Sequence, residues 1–343
     1  MKYNSSLIVP IFNEIASLKN LCKKLKETFK DHHIKFIFVD DGSTDGSTEW
    51  LKQNLKSFFS KNNYNLILLK KNFGKGYAIK EGIKKIEGAY TLFIDSDLEY
   101  QPADLLEMYN VILNNDEIDV LYGSRNLGSK TQLRRYFLNG IAVKLNTWIF
   151  NFLFNQSLTD LHTGSKIIKN TLLKTLNIST NGFGLEIVMS SEISKKNINI
   201  FEYGISYYER SIEEGKKITI IDGIQSYYFL FKERFIQNNL ETQISLIYSF
   251  LFMTYVGTYF GMGTGKIMVI LFFMLIGLMI ALNRRILTLS FIFLLLYIGS
   301  LFSKGNGKIY TTLGFFILGL YITKKIRKKL NRFKGKTFLK FLF

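Results

Sequence analysis

The chain holds a single cysteine, Cys22, among its 343 residues. No intrachain disulfide can form, and a reducing compartment is the natural one. A secretory leader is not expected: Met1-Lys2-Tyr3-Asn4-Ser5-Ser6 runs into an apolar stretch too brief for a signal peptide, with no small-residue cleavage site. The N-terminal part is therefore expected in the cytosol. Proline is scarce, at two residues. With abundant lysine this fits a biased genome composition, so the formal net charge of +18 does not by itself assign a polyanionic partner. Part of the excess is the tail Lys324-Lys325-Ile326-Arg327-Lys328-Lys329, directly after an apolar segment. Membrane-flanking charge is the simpler account, and nucleic acid is not expected as a partner. No repeat of fixed period is present.

Charged and apolar residues alternate up to about residue 241, after which apolar residues dominate until residue 323. Four apolar segments follow one another at 244–262, 267–282, 286–302 and 309–323. Each is near the lower limit for crossing a hydrocarbon core at ~1.5 Å of rise per residue. With the N-terminal domain inside, Asn283-Arg284-Arg285 and the Lys324 cluster both fall on the inner side, as the positive-inside rule requires, while Lys304 and Lys308 fall outside. Ahead of these segments, Tyr227, Tyr228, Phe229, Leu230, Phe231 and Phe235 interleave with Lys232 and Arg234. That pattern fits an interfacial helix, with an ordinary amphipathic helix as the alternative. The expected organisation is a cytosolic α/β domain over 1–222, an interfacial helix and linker over 223–243, about four transmembrane helices over 244–323 and a basic cytosolic tail over 324–343. The lipid bilayer is then a partner. Whether the spans anchor, assemble a homo-oligomer or help move a product is left open.

Within the first 222 residues the pattern alternates between strands and helices. Strands are expected at 7–11, 36–39, 66–69, 90–94 and 120–123. Helices are expected at 15–29, at 44–58 with Ser43 or Asp45 as cap, from 73 to about 86, and at 134–154. This succession argues for a mostly parallel sheet flanked by helices. Such a sheet gathers its ligand at the carboxyl ends of its strands. Two of those ends are acidic. Tyr90-Thr91-Leu92-Phe93-Ile94 runs into Asp95-Ser96-Asp97, and Phe36-Ile37-Phe38-Val39 runs into Asp40-Asp41-Gly42-Ser43. Paired carboxylates at a strand end make a hard-oxygen cluster suited to a divalent cation carrying a diphosphate, which points to a nucleotide-sugar enzyme. Pro10, Phe12, Glu14, Asp40 and Asp41 offer flat contacts and acceptors for a base and ribose, with Asp41 the expected closest contact. A helix cap or Asx-turn is the competing reading of Asp40 and Asp41. Lys75, between Gly74 and Gly76 at a loop-to-helix junction, is placed to face a diphosphate.

Val39-Asp40-Asp41-Gly42-Ser43-Thr44-Asp45, with Val9-Pro10-Ile11-Phe12-Asn13-Glu14 before it and Asp95-Ser96-Asp97 after it, resembles the GT-A glycosyltransferases of family 2. Gly123-Ser124-Arg125, the pair Arg134-Arg135, the run from Asp160 to Lys166, and Glu209-Arg210 through Lys217 resemble its polyprenyl-phosphate sugar synthase branch. The branch includes dolichyl-phosphate mannose synthases and undecaprenyl-phosphate transferases. The resemblance implies a GT-A (Rossmann-like) fold, a nucleotide-sugar donor, a polyprenyl-phosphate acceptor and inversion at the anomeric centre. It also implies Mg²⁺ or Mn²⁺ held by Asp97 and the donor diphosphate, with Asp95 ordering the ribose or a metal water. Glu99 stands where a Gln is usual in that branch, and either joins the metal or faces water.

Arg125, Arg134, Arg135, Lys166 and Arg210 are the candidate seat for the acceptor phosphate, since guanidinium forks match phosphate oxygens. One or two of the five are expected to be ordinary surface charges. A phosphate acceptor, already anionic near neutral pH, needs no protein general base. The catalytic set expected on this reading is Asp95, Asp97 and Arg125. The chain departs from the branch at Asp160-Leu161-His162-Thr163-Gly164-Ser165-Lys166, where Lys replaces Arg, at Leu138, where Ser is usual, and at the stretched 210–217. His162 reads either as a substrate contact or as a buried structural histidine, and Glu186 as a sugar-hydroxyl acceptor. Two rivals stay open. One is a transferase acting on a lipid-linked oligosaccharide or polysaccharide, although no Gln-x-x-Arg-Trp helix is found. The other is a non-catalytic sugar-nucleotide-binding scaffold.

Overall fold

The computed structural model of the chain describes residues 3–182, 184–211, 213–215 and 220–236. The chain divides into two compact units, Met1–Arg234 and Phe235–Phe343, and the described residues lie almost wholly in the first. The four apolar segments and the basic tail lie outside the described residues. Among those described, no helix is long and apolar enough to cross a membrane.

Apolar alternation builds the sheet. In β1 (Ser5–Ile11), Leu7, Val9 and Ile11 face one side and Ile8 the other; in β2 (Ile34–Asp40), Phe36 and Phe38 oppose Ile37 and Val39. A period of two with apolar residues on both faces is what a strand buried on both sides requires. The first face packs on α1 (Ile15–Thr28), α2 (Ser47–Phe58) and α4 (Pro102–Leu113) through residues such as Leu18, Leu51 and Leu105. The second packs on α3 (Lys75–Ile83) and α7 (Leu185–Lys195) through Ala78, Ile79, Leu185 and Met189.

β3 (Tyr64–Leu68), β4 (Tyr90–Phe93), β5 (Val120–Ser124), β7 (Lys166–Lys169) and β8 (Phe201–Gly204) complete a seven-stranded sheet in the order β3-β2-β1-β4-β7-β5-β8. β7 runs antiparallel between β4 and β5, whereas the other described pairings in this sheet are parallel. Because β7 runs backwards, its first residue, Lys166, lies opposite Phe93 and Tyr122 at the same edge as the ends of β1, β2 and β4. A separate parallel pair joins β6 (Gln132–Leu133) to β9 (Tyr207–Tyr208). α5 (Phe137–Phe154) follows β6, the short α6 (Asn170–Leu173) follows β7, and α8 (Ile220–Phe231) lies beyond β9.

Two expectations are corrected. The second helix begins at Ser47, not 44, because neither Ser43 nor Asp45 is its cap: Gly46, at φ 95°, takes that place in the left-handed region. Ser43 and Asp45 instead tie the β1–α1 loop to the β2–α2 loop, accepting the backbone N–H of Asn13 and Ile15 at 2.9 and 3.0 Å. The helix expected from residue 134 begins at Phe137, since Gln132 and Leu133 pair with β9 and Arg135 N–H donates to Glu209. Arg134 and Arg135 therefore lie outside the helix.

Candidate active site

The strand ends deliver an acidic and cationic cluster to one edge of the sheet. Asp95 and Asp97 follow β4, Glu14 follows β1, and Lys75 opens α3. Lys75 Nζ lies 2.8 Å from Asp95 Oδ1 and 2.9 Å from Glu186 Oε1, so one ammonium bridges two carboxylates. Burial disfavours ionisation of Glu186, but Lys75 and Lys166 outweigh it and hold its carboxyl down at about 2. Gly164 packs closely against the cluster. A Cβ at that position would meet Asp95 Oδ2 at 2.1 Å and Cγ at 2.8 Å, so a side chain there would displace this carboxylate. Pro10, Asp95, Lys166 and Glu186 line a small recess at this edge.

Asp97 is the other focus. Burial raises its pKa to about 7, with Asp95 and Glu99 adding to the effect and Arg210 opposing it. Its Oδ1 accepts the Glu99 N–H at 3.1 Å, and its Oδ2 lies 3.3 Å from Arg210 Nη2. Arg210 also forks onto Glu14, with Nη1 2.8 Å from Oε2 and Nη2 3.2 Å from Oε1. This set fits a divalent cation. The donors are hard carboxylate oxygens, and crowding of like charge around Asp97 is what a bound cation would relieve. Among the described residues no three such side chains close on one point. A cation held at Asp97 would take its remaining ligands from a substrate.

Several expected contacts are arranged differently. Asp40 is fully buried, and its oxygens accept from Ser43 N and Oγ and from Thr48 Oγ1. Its oxygens are engaged in tying the β2–α2 loop together. Asp41 accepts the Phe73 and Gly74 N–H groups at 2.8 and 2.7 Å and so fixes the loop that presents Lys75. Phe12 is half-buried in the β1–α1 loop. Glu99 accepts from Tyr207 Oη at 2.7 Å and from Arg210 N at 2.9 Å, so both of its oxygens are engaged.

The expected cationic seat is dispersed. Arg125 pairs at two points with Asp160, which is fully buried, and lies over the Tyr207 ring. Arg134 is exposed and donates to Arg125 O and Asn126 Oδ1; Arg135 is exposed with Nε on Glu209 O. Lys166 is buried, donates to Thr163 O, and is lowered to about 8, first by burial and then by Lys75, with Glu186 opposing. His162 is lowered to about 4 by burial, and its Nε2 has no hydrogen-bond partner. Asp160 and Tyr207, 35 and 82 residues from Arg125 in sequence, are the structural partners that sequence reasoning missed. The one signal for Asp160 was its place in the 160–166 motif.

Residues 6–176 match the model of the family described as "Glycosyl transferase family 2". Among curated relatives, the dolichyl-phosphate beta-glucosyltransferase of Saccharomyces cerevisiae is 26% identical over 240 residues, covering 64% of this chain and 71% of that protein. The dodecaprenyl-phosphate galacturonate synthase of Rhizobium johnstonii is 28% identical over 219 residues, covering 59% of this chain and 61% of that protein. The matches span from 43% to 71% of the lengths of such relatives. Among solved structures, the glucosyl-3-phosphoglycerate synthase of Mycobacterium tuberculosis, in complex with Mn²⁺, uridine-diphosphate-glucose and glycerol 3-phosphate, superposes with a TM-score of 0.51. It is 17% identical, and the match covers 68% of this chain and 80% of that one. That likeness shows the fold: a GT-A, Rossmann-like, mostly parallel sheet with flanking helices.

Proposed function

The chain carries a glycosyl transferase family 2 domain, and from that premise we propose that it moves a sugar from a nucleotide-sugar donor to a polyprenyl phosphate at the cytosolic membrane face. The observation that carries this reading is the pair of ion-pair groups at the carboxyl edge of the sheet, Lys75 with Asp95 and Arg210 with Glu14 and Asp97. The names of the relatives, which pair a sugar with a dolichyl or dodecaprenyl phosphate, support the acceptor class.

In this account Asp97 is the protein's ligand to Mg²⁺ or Mn²⁺. When bound, the cation neutralises charge on the departing nucleoside diphosphate. Asp41 orders the Phe73–Gly74 backbone, and each of its oxygens keeps a lone pair for a base N–H. Lys75 neutralises Asp95 and Glu186 together and fixes the two carboxylates on either side of its ammonium. An acceptor phosphate is already ionised and attacks without a general base, displacing the diphosphate from the opposite face with inversion. Arg134 and Arg135, exposed just before α5, are the cations assigned to it in this reading.

The approach of a lipid acceptor is supported by α5. Phe137, Leu138, Ile141, Leu145, Trp148 and Phe152 recur at helical spacing and are exposed, Phe137 at 81% and Leu138 at 77%. On α8, Tyr227, Tyr228 and Phe231 are exposed as well. An aromatic-rich helix face left uncovered is suited to the head-group layer of a bilayer. The test is incubation of membranes containing the chain with a panel of radiolabelled nucleotide sugars and undecaprenyl or dolichyl phosphate. Label entering the organic phase is expected. Label found on an oligosaccharide and absent from polyprenyl phosphate would favour the rival acceptor.

A further inference from the structure

We infer that Arg210 is an exchange residue: it occupies the cation's place at Asp97 and Glu14 while the donor is absent, so that cation and diphosphate enter together. The inference rests on the assignment of Asp97 to the cation given above. Asp97 has one oxygen, Oδ1, turned to the Glu99 N–H, which leaves Oδ2 as the oxygen offered to a ligand. Arg210 Nη2 already lies 3.3 Å from that Oδ2. Mg²⁺ binds an oxygen ligand at about 2.0–2.1 Å, so ion and guanidinium would crowd the same atom with like charge. The same guanidinium forks onto Glu14, which stands at the end of β1 beside the donor edge.

The residue is built to move without its backbone moving. Arg210 N–H donates to Glu99 Oε1 at 2.9 Å, and Glu99 is held in turn by Tyr207 Oη at 2.7 Å. Glu99, two residues from Asp97 in sequence, thus anchors the pivot of Arg210. The Arg210 Nε is buried without a hydrogen-bond partner, an under-satisfied donor at the base of the fork. When a cation carrying a diphosphate reaches Oδ2, the guanidinium loses its partner there and gains phosphate oxygens, which match its fork better than two separate carboxylates do. Free cation, arriving without phosphate, offers no such compensation.

The test is Mn²⁺ binding, followed by electron paramagnetic resonance on the full chain in detergent without nucleotide. Arg210→Gln is expected to bind Mn²⁺ tighter than the wild type by about tenfold, the scale of one partly buried charge interaction. Arg210→Lys keeps the charge and loses the fork that spans Glu14 and Asp97, so it should fall between the two. Equal or weaker binding of Mn²⁺ by both variants overturns the exchange role. The lipid-labelling assay separates the two claims: transfer without the difference in Mn²⁺ affinity defeats the exchange role alone, and the difference without transfer defeats the proposed reaction alone.

Discussion

Arg125 and Asp160 form a buried two-point ion pair, with Nε donating to Oδ2 at 2.6 Å and Nη2 to Oδ1 at 2.8 Å. Asp160 Oδ2 also accepts the Arg125 N–H at 3.0 Å. The pair fastens the end of β5 to the segment that leads into β7. Breaking such a pair leaves one charge buried and uncompensated, which costs about 3–5 kcal/mol. Arg125→Ala should therefore lower stability by that order, read by denaturant unfolding of the purified chain. Unchanged stability with a raised KM for polyprenyl phosphate would return Arg125 to the acceptor seat.

Lys75 bridges Asp95 and Glu186, and its removal leaves both carboxylates facing each other where a donor sugar would lie. Lys75→Ala should reduce kcat/KM for the nucleotide sugar by about 100-fold, the effect of losing one preorganised charge at a reacting centre. Lys75→Arg should recover part of it. Steady-state kinetics with the donor varied decides the matter, and a Lys75→Ala enzyme with wild-type kcat/KM would remove this lysine from the donor site.

The raised pKa of Asp97, about 7, gives a signed pH dependence. A proton and a cation compete for its carboxylate, so transfer at limiting Mn²⁺ should fall as pH drops from 8 to 6, and added Mn²⁺ should restore it. Stability runs the other way. The folded value lies above the ordinary 3.8, so the contribution of this group is full below that value and lost as pH rises through about 7. Asp97→Asn should melt higher than the wild type at pH 8, with the advantage gone by about pH 4. A melting temperature that is equal at pH 8 would contradict the crowding of charge around Asp97.

The uncovered face of α5 makes a spectroscopic prediction. The chain has two tryptophans, Trp50 and Trp148, and Trp148 is 65% exposed on α5. In a Trp50→Phe background, Trp148 fluorescence should be quenched by brominated lipid when the full chain is reconstituted into liposomes. Unquenched fluorescence would place that face in water.

Much of the fold was legible because it rests on local period. Leu7, Val9 and Ile11 against Ile8, and Phe36 and Phe38 against Ile37 and Val39, announce strands buried on both faces. The acidic residues at the ends of β2 and β4 pointed to the edge where the acidic and cationic side chains gather. What stayed hidden was non-local. β7 is a four-residue strand inserted antiparallel between β4 and β5. Nothing in Lys166-Ile167-Ile168-Lys169 reports that neighbour, so Lys166 read as a phosphate ligand and not as the buried start of a strand. Arg125 read as a free cation because its partner lies 35 residues on. The expected helix start at Arg134 failed for a related reason: a two-residue pairing with Tyr207 and Tyr208 claims the chain first. α4 was missed although Pro102 at its first turn and the spacing of Leu105, Met108, Tyr109 and Ile112 signalled it.

In the proposed reaction Asp97 holds the cation that lets the diphosphate leave. The most direct test of this role is transfer of label from nucleotide sugar to polyprenyl phosphate by the wild type, by the wild type in EDTA, and by Asp97→Ala. Label is expected in the organic phase for the untreated wild type alone, with the EDTA loss reversed by Mn²⁺ or Mg²⁺. Undiminished transfer by Asp97→Ala, or by the wild type in EDTA, would contradict that role.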